Sequence, residues 1–186
     1  RVQPKVQYKE PPLLFRNLGQ RKFENASAAV GATFQRPFVA RGAAYADFDK
    51  DGDLDVLFTT NHGPAYLFRN DGGNANNFIC VRTVGVKSNR DGIGAIVRVE
   101  SASGKQWSVV RSGSSYASQS DLPITFGLAK DATVTAIEVE WPSGAKDRIT
   151  NVAANQFITI EEGKGLAAQA PPAKPATAKP ATAKPA

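Results

Sequence analysis

Short runs of β-branched and aromatic residues alternate with clusters of Gly, Asn, Asp and Ser along most of this 186-residue chain. Runs of this kind are typical of β-strands, and no segment of about a dozen residues shows the period of an amphipathic helix. The sequence therefore predicts an all-β fold. The candidate strands are residues 43–46, 55–60, 65–69, 78–84, 95–100, 106–111, 124–126, 133–141, 147–150 and 156–161.

Two features predict parts of the core. In candidate strand 133–141, successive side chains should point to opposite faces, with Glu138 and Glu140 on the solvent face. Cys80 lies in an apolar run and, as the chain's one cysteine, is expected to be a small buried hydrophobe. The residues of 133–141 expected on one buried face are Thr135, Ile137, Val139 and Trp141.

Five aspartates occupy alternate positions of segment 47–55, namely Asp47, Asp49, Asp51, Asp53 and Asp55. Their mutual repulsion predicts a bound cation, and Ca²⁺ suits the segment because it accepts about six to eight oxygens in a flexible geometry. We predict that Asp53 contributes its backbone carbonyl, that the other four contribute side chains, and that Gly52 permits the sharp turn. An EF-hand is excluded because Phe58 stands where that loop needs Glu and both flanks are candidate strands.

Two other interpretations of the acidic segment remain open. It could be a solvated turn without metal, because Asp-Gly steps suit many hairpins. Its carboxylates could serve general acid–base catalysis, although such pairs need differently perturbed environments in a pocket, and these acids share one short loop.

A six-residue repeat indicates modular architecture. Residues 14–19 read Leu-Phe-Arg-Asn-Leu-Gly and residues 67–72 read Leu-Phe-Arg-Asn-Asp-Gly, 53 residues later, each copy following a proline. A period near about 50 residues built of short strands is typical of β-propeller blades. Because one period cannot close a ring, and because the chain lacks Met even at position 1, we expect a cleaved or truncated C-terminal end of a longer propeller.

The acidic loop, its flanking strands and the Leu-Phe-Arg-Asn that follows resemble the FG-GAP or VCBS propeller repeats of integrin α-chains and bacterial surface proteins. The resemblance covers about residues 1–73. It implies that the motif carried by Asp47, Asp49, Asp51, Gly52 and Asp55 holds Ca²⁺ between the first two strands of a blade.

Segments 89–95, 118–121, 126–128 and 141–144 resemble successive signatures of the ASPIC and UnbV domain. The resemblance covers residues 74–165 and implies a β-sandwich-like domain that closes the C-terminus of secreted propeller proteins, including cartilage acidic proteins. Members often carry His and Gly where this chain has Thr125 and Ala129, so a histidine-based activity there is excluded. The glycines of 89–95 are interpreted as turn formers, because a strand follows them instead of a helix.

These observations predict three regions: a propeller end with one calcium blade at 1–73, an ASPIC/UnbV-like domain at 74–165, and a disordered Lys/Pro/Ala/Thr tail at 166–186, whose spaced prolines favour an extended spacer. The formal net charge is +6, but three of the lysines are Lys174, Lys179 and Lys184 of the tail. Without a basic stripe or aromatic platform, nucleic-acid binding is disfavoured. No apolar run reaches the roughly 18 residues that a transmembrane helix requires.

The sequence predicts a secreted or cell-surface module that binds calcium. Its predicted role is structural or the recognition of another molecule, and it is not predicted to be an enzyme. Its expected partners are an extracellular protein or carbohydrate and the upstream propeller blades of the same chain. One alternative is an accessory part of a secreted enzyme, whose candidate residues here would be Ser114, Ser115, Tyr116 and Asp121. Another is a carbohydrate-binding module using Trp107, Tyr116 and Trp141. The lone His62 is expected to lie in a surface turn.

Overall fold

The computed structural model describes residues 7–113 and 115–167. These residues form thirteen β-strands and three short 3-10 helices, Ser27–Val30, Ala32–Gln35 and Gly73–Ala75, and they contain no α-helix. The all-β prediction is confirmed. No helix in the described ranges has the length and hydrophobicity needed to cross a membrane. Residues 168–186, nearly all of the predicted tail, lie outside the described part of the chain.

The chain divides into two compact units, the first comprising the described residues of Arg1–Ala46, Asp55–Asn70 and Gly113–Ser120. Its strands are β1 (Phe15–Gly19), β2 (Lys22–Asn25), β3 (Ala40–Ala46), β4 (Asp55–Thr60) and β5 (Tyr66–Phe68). Strands β1 and β2 form a two-stranded antiparallel sheet, and β3, β4 and β5 form a three-stranded antiparallel sheet in that order.

Aromatic side chains form the core of the first unit. Phe58 of β4 lies 5.3 Å from Phe68 of β5 and 5.9 Å from Phe34, measured between ring centroids, while Phe38 lies 4.6 Å from Tyr66. These tilted and edge-to-face arrangements are those that aromatic quadrupoles favour. The cluster therefore holds the β3-β4-β5 sheet against the short helix that carries Phe34.

The second unit comprises Asp47–Leu54, Asp71–Ser112 and the described residues of Asp121–Ala186. One four-stranded sheet has the order β11-β10-β7-β8 and the other the order β13-β12-β6-β9. Strands β6 and β12 are parallel, and the remaining neighbours in both sheets are antiparallel. The strands are β6 (Asn77–Val84), β7 (Ile96–Ser101), β8 (Gly104–Val109), β9 (Ile124–Ala129), β10 (Thr133–Glu140), β11 (Lys146–Ala153), β12 (Gln156–Glu161) and β13 (Gly165–Leu166).

The two sheets share one hydrophobic core, to which β6 contributes Ile79 and Val81, and β10 contributes Ile137 and Val139. Because alternate side chains of strands in both sheets are buried in the same cluster, this unit is a β-sandwich. Cys80 is 6% exposed, as predicted, and burial raises the pKa of its thiol to about 11.

The predicted faces of β10 need one correction. Thr135, expected in the core, is exposed, while Val134 and Ala136 are buried. The register against β7 shifts between Val134 and Ala136, and a bulge of this kind reverses the alternation of side chains. Ile137 and Val139 beyond the bulge are buried as predicted.

Candidate metal centre

The acidic segment forms the loop that joins β3 to β4. Ala46 and Asp55 are paired residues of the hairpin, so the segment begins and ends at neighbouring positions. Within it Lys50 and Gly52 have positive φ angles, 60° and 100°. Two left-handed residues this close together fold the chain back on itself, which brings alternate side chains toward a common point.

Three carboxylates converge in this loop. Asp47, Asp49 and Asp55 each offer one oxygen, and these oxygens all lie within 4.8 Å of one another. Asp47 is 9% and Asp55 2% exposed. At about 4 Å, two unit charges repel by about 1 kcal/mol even at the dielectric constant of water. The cluster could therefore hold a metal ion that neutralises this repulsion.

Asp49 supplies an independent sign of a ligand. Its Oδ1 atom is buried and accepts no hydrogen bond from the residues that the structure describes. The same is true of Asp53 Oδ1, but of these two residues Asp49 is the one that belongs to the three-carboxylate cluster. Leaving a carboxylate oxygen away from water without a partner is costly, and such atoms in native structures normally have a proton donor or a cation beside them. An oxygen-only donor set of this kind suits a hard cation.

Backbone amides hold two of the three carboxylates in place. Asp47 accepts hydrogen bonds from the amides of Asp51, at 3.1 Å, and Gly52, at 3.0 Å, while Asp55 Oδ1 accepts one from the amide of Asn70 at 2.8 Å. Burial raises the pKa of Asp47, and the amides of Gly52, Lys50 and Asp51 oppose that rise. The loop thus fixes the carboxylates before any ion arrives.

Asp51 and Asp53 lie outside the cluster. Asp51 accepts hydrogen bonds from the amide of Asp53, at 3.1 Å, and from Asn74 Nδ2, at 3.0 Å. Asp53 Oδ2 accepts the amides of Gly73, at 3.0 Å, and Asn74, at 3.2 Å. The structure thus brings together three of the five predicted ligands, and the roles predicted for Asp51 and Asp53 at the metal stay predictions.

The structure describes most of the residues on which the alternative interpretations depend. His62 lies in an exposed turn with φ of 56°, as predicted. Ser118 Oγ accepts the amide of Ala43 at 2.8 Å and Ser120 Oγ that of Tyr45 at 3.3 Å, so these hydroxyls bond the backbone of β3. Ser114 lies outside the described residues.

The aromatic side chains considered for carbohydrate binding differ in exposure. Trp107 is 66% and Tyr116 75% exposed, whereas Trp141 is 2% exposed. Trp141 Nε1 donates a hydrogen bond to Asp147 Oδ2 at 2.6 Å. Trp141 therefore belongs to the sandwich core and offers no ring face to a sugar.

Glu162 is a buried carboxylate that sequence reasoning missed. Its Oε2 accepts the amides of Val86, Lys87 and Ser88, each at 2.7 Å, and its Oε1 accepts the hydroxyls of Ser88 and Ser143. Burial acts to raise the pKa of Glu162, but the hydroxyl of Ser143 and the three amides outweigh it and lower the pKa to about 2. The Glu162 carboxylate thus connects the end of β12 by hydrogen bonds to two loops, one at residues 86–88 and one that contains Ser143.

The turn at residues 89–94 also has a structural role, because its side-chain and backbone contacts are internal to the fold. Asn89 donates to the carbonyl of Ile93 at 2.7 Å and accepts the amide of Ile93 at 2.8 Å. Gly92 has φ of 66°, and a Cβ there would lie 2.5 Å from Thr83 Oγ1. The glycine is required by close approach to β6, which agrees with its prediction as a turn former.

The second unit is therefore a β-sandwich domain whose loops are held by polar side chains such as those of Glu162 and Asn89. Residues 85–167 match the family model described as ASPIC and UnbV, so the chain contains an ASPIC and UnbV domain. This confirms the resemblance for that part of the chain, and the match begins at Gly85 where the prediction began at Asn74. No curated protein matches the chain.

Proposed function

We propose that this chain is a calcium-dependent structural and recognition module of the cell exterior. The observation that carries the proposal is the convergence, within 4.8 Å, of one carboxylate oxygen each from Asp47, Asp49 and Asp55. The buried Asp49 Oδ1, which accepts no hydrogen bond from the described residues, supports it. Ca²⁺ tolerates irregular oxygen geometries at about 2.3–2.6 Å, whereas Mg²⁺ demands a near-ideal octahedron and retains water. A cluster assembled from one short irregular loop suits the larger ion better.

We also propose that the first unit is the end of an FG-GAP-like propeller. Three observations support this: the β3-β4-β5 meander, the acidic loop between its first two strands, and the repeat that lies in β1 and at the end of β5. Phe68 of the second copy packs in the aromatic core, whereas Phe15 of the first is 56% exposed. Upstream blades of the same protein would cover the exposed apolar residues around β1, which are Leu13, Leu14, Phe15, Leu18 and Phe23.

The role assigned to the module is non-enzymatic. The three converging carboxylates share one short loop. Glu162, a buried carboxylate elsewhere in the chain, accepts hydrogen bonds from three backbone amides and so has a structural role. We propose that the module belongs to a secreted or cell-surface protein, in which Ca²⁺ stiffens the blade loop. Its partner would be an extracellular protein or carbohydrate.

Calcium should stabilise the chain, and Asp49→Asn should remove most of the effect. For dissociation constants of about 10⁻⁴ to 10⁻³ M, typical of extracellular modules, about 1 mM Ca²⁺ adds at most about 1.4 kcal/mol. That free energy corresponds to a rise in Tm of about 3–6 °C. Thermal melts in Ca²⁺, Mg²⁺ and chelator measure it, with Asp91→Asn as a control outside the loop. Equal melting temperatures in all three buffers would contradict the proposal, and equal effects of the two cations would remove only its selectivity for calcium.

A further inference from the structure

The acidic loop is bound to the segment that precedes the sandwich. Asp53, 5% exposed, accepts hydrogen bonds from two consecutive amides, those of Gly73 and Asn74, and the Asn74 side chain donates to Asp51. We call these three hydrogen bonds the clasp. None of them uses a carboxylate of the Asp47, Asp49 and Asp55 cluster. Hydrogen bonds to an ionised carboxylate are among the stronger ones in proteins, so the clasp restrains the loop.

A second contact restrains the same loop from β6. Gly52 packs so closely on the ring of Phe78 that a Cβ there would lie 2.2 Å from Phe78 Cε1. Phe78 in turn packs edge-to-face on Phe157 of β12, with 5.3 Å between ring centroids. The metal loop is thus attached at two successive places, to residues 73 and 74 by the clasp and to the ring of Phe78 on β6.

We propose that Asp53 is a positioning residue, whose carboxylate sets the metal affinity of the loop by clasping residues 73 and 74, and does not itself bind the ion. The proposal rests on calcium binding at Asp47, Asp49 and Asp55. Because coupling between two events is reciprocal, Ca²⁺ must also strengthen the clasp and protect the amides of residues 73 and 74. Calcium binding would thereby stabilise residues 73 and 74, which precede β6 of the sandwich.

Substitution of a residue that donates a clasp hydrogen bond tests whether the clasp sets the metal affinity, and it does so without changing the charge of the loop. Asn74→Ala removes one neutral donor to Asp51 and should weaken Ca²⁺ binding by about threefold. Asn76→Ala, the same change two residues away, should bind as the wild type does, because no hydrogen bond of the Asn76 side chain occurs among the described residues. Calorimetric titration of the full chain with CaCl₂ measures both affinities.

Two substitutions of Asp53 separate clasping from ligation. Asp53→Asn keeps an oxygen that can accept both amides, so most of the affinity should remain, whereas Asp53→Ala should lose about tenfold or more. A side-chain ligand would instead make Asp53→Asn as damaging as Asp49→Asn, and that result would overturn the proposal. Amide hydrogen exchange gives the reciprocal measurement, with slower exchange expected at residues 73 and 74 when Ca²⁺ is added.

The outcomes distinguish this inference from the proposed function. Wild-type affinity in both Asn74→Ala and Asp53→Ala, with exchange at residues 73 and 74 indifferent to Ca²⁺, overturns the clasp and leaves calcium binding intact. If the wild-type chain takes up no Ca²⁺ at all, the proposed function fails first and the inference fails with it.

Discussion

Gly52→Ala should lower the melting temperature of this chain by about 5–15 °C, the largest effect expected of any substitution in the acidic loop. Two costs add at this position. Gly52 has φ of 100°, where an L side chain is strained by roughly 1–2 kcal/mol. The new Cβ would also overlap the Phe78 ring at 2.2 Å, and forced overpacking costs about 1–3 kcal/mol more.

A matched glycine controls for the general effect of adding a methyl group. A Cβ added at Gly127 in β9 would meet nothing within 4 Å, so Gly127→Ala should melt within a degree or two of the wild type. Adding Phe78→Leu to Gly52→Ala should recover part of the loss, because it relieves the overlap and leaves the backbone strain. Equal melting temperatures for Gly52→Ala and Gly127→Ala would show that the loop does not pack on Phe78 as described.

Glu162→Gln should destabilise the sandwich strongly at neutral pH. The glutamine amide can replace neither the charge nor all five acceptor contacts, and its NH₂ group would face donors. Glu161→Gln, one residue earlier, is the matched control, because Glu161 is bonded through its side chain to exposed Lys164. Thermal melts at pH 7 compare the two, and a Glu162→Gln variant as stable as Glu161→Gln would contradict the assigned role.

The pH dependence of this effect has a definite sign. The hydrogen bonds lower the pKa of Glu162 from its ordinary value of 4.5 to about 2 in the folded chain. A lowered folded-state pKa contributes stability above the unfolded-state value, and this contribution is lost as pH falls toward the folded-state value. The difference in Tm between wild type and Glu162→Gln should therefore be constant above about pH 5 and shrink between about pH 4.5 and 2. A difference that stayed constant down to pH 2 would refute this account of Glu162.

The sequence predicted features that depend on neighbouring residues. All ten candidate strands overlap strands of the structure, because period-two patterns and turn residues act locally. The acidic loop was found for the same reason, since its ligands lie within one short segment. Strands β1, β2 and β13 were missed. Every residue of β1 and β2 is exposed, so they carry no alternation of buried and exposed positions, and β13 has two residues, too few for a pattern.

Features that depend on distant residues were not predictable. Glu162 gains its amide donors from residues 74 to 76 positions earlier, and nothing in Glu161-Glu162-Gly163 marks one carboxylate as buried. The sequence also could not show which of the five aspartates lie outside the three-carboxylate cluster. The hydrogen-bond partners of Asp53, for example, lie 20 and 21 residues later in the chain. The bulge at Thr135 depends on how β10 pairs with β7.

Calcium titration of the chelator-treated full chain, followed calorimetrically, tests metal binding by the acidic loop most directly. One site should be seen, with a dissociation constant of about 10⁻⁴ to 10⁻³ M. Asp49→Asn should abolish the heat of binding, while Asp91→Asn, an exposed aspartate outside the loop, should leave it unchanged. Absence of binding in the wild type, or undiminished binding in Asp49→Asn, would contradict a calcium site formed by Asp47, Asp49 and Asp55.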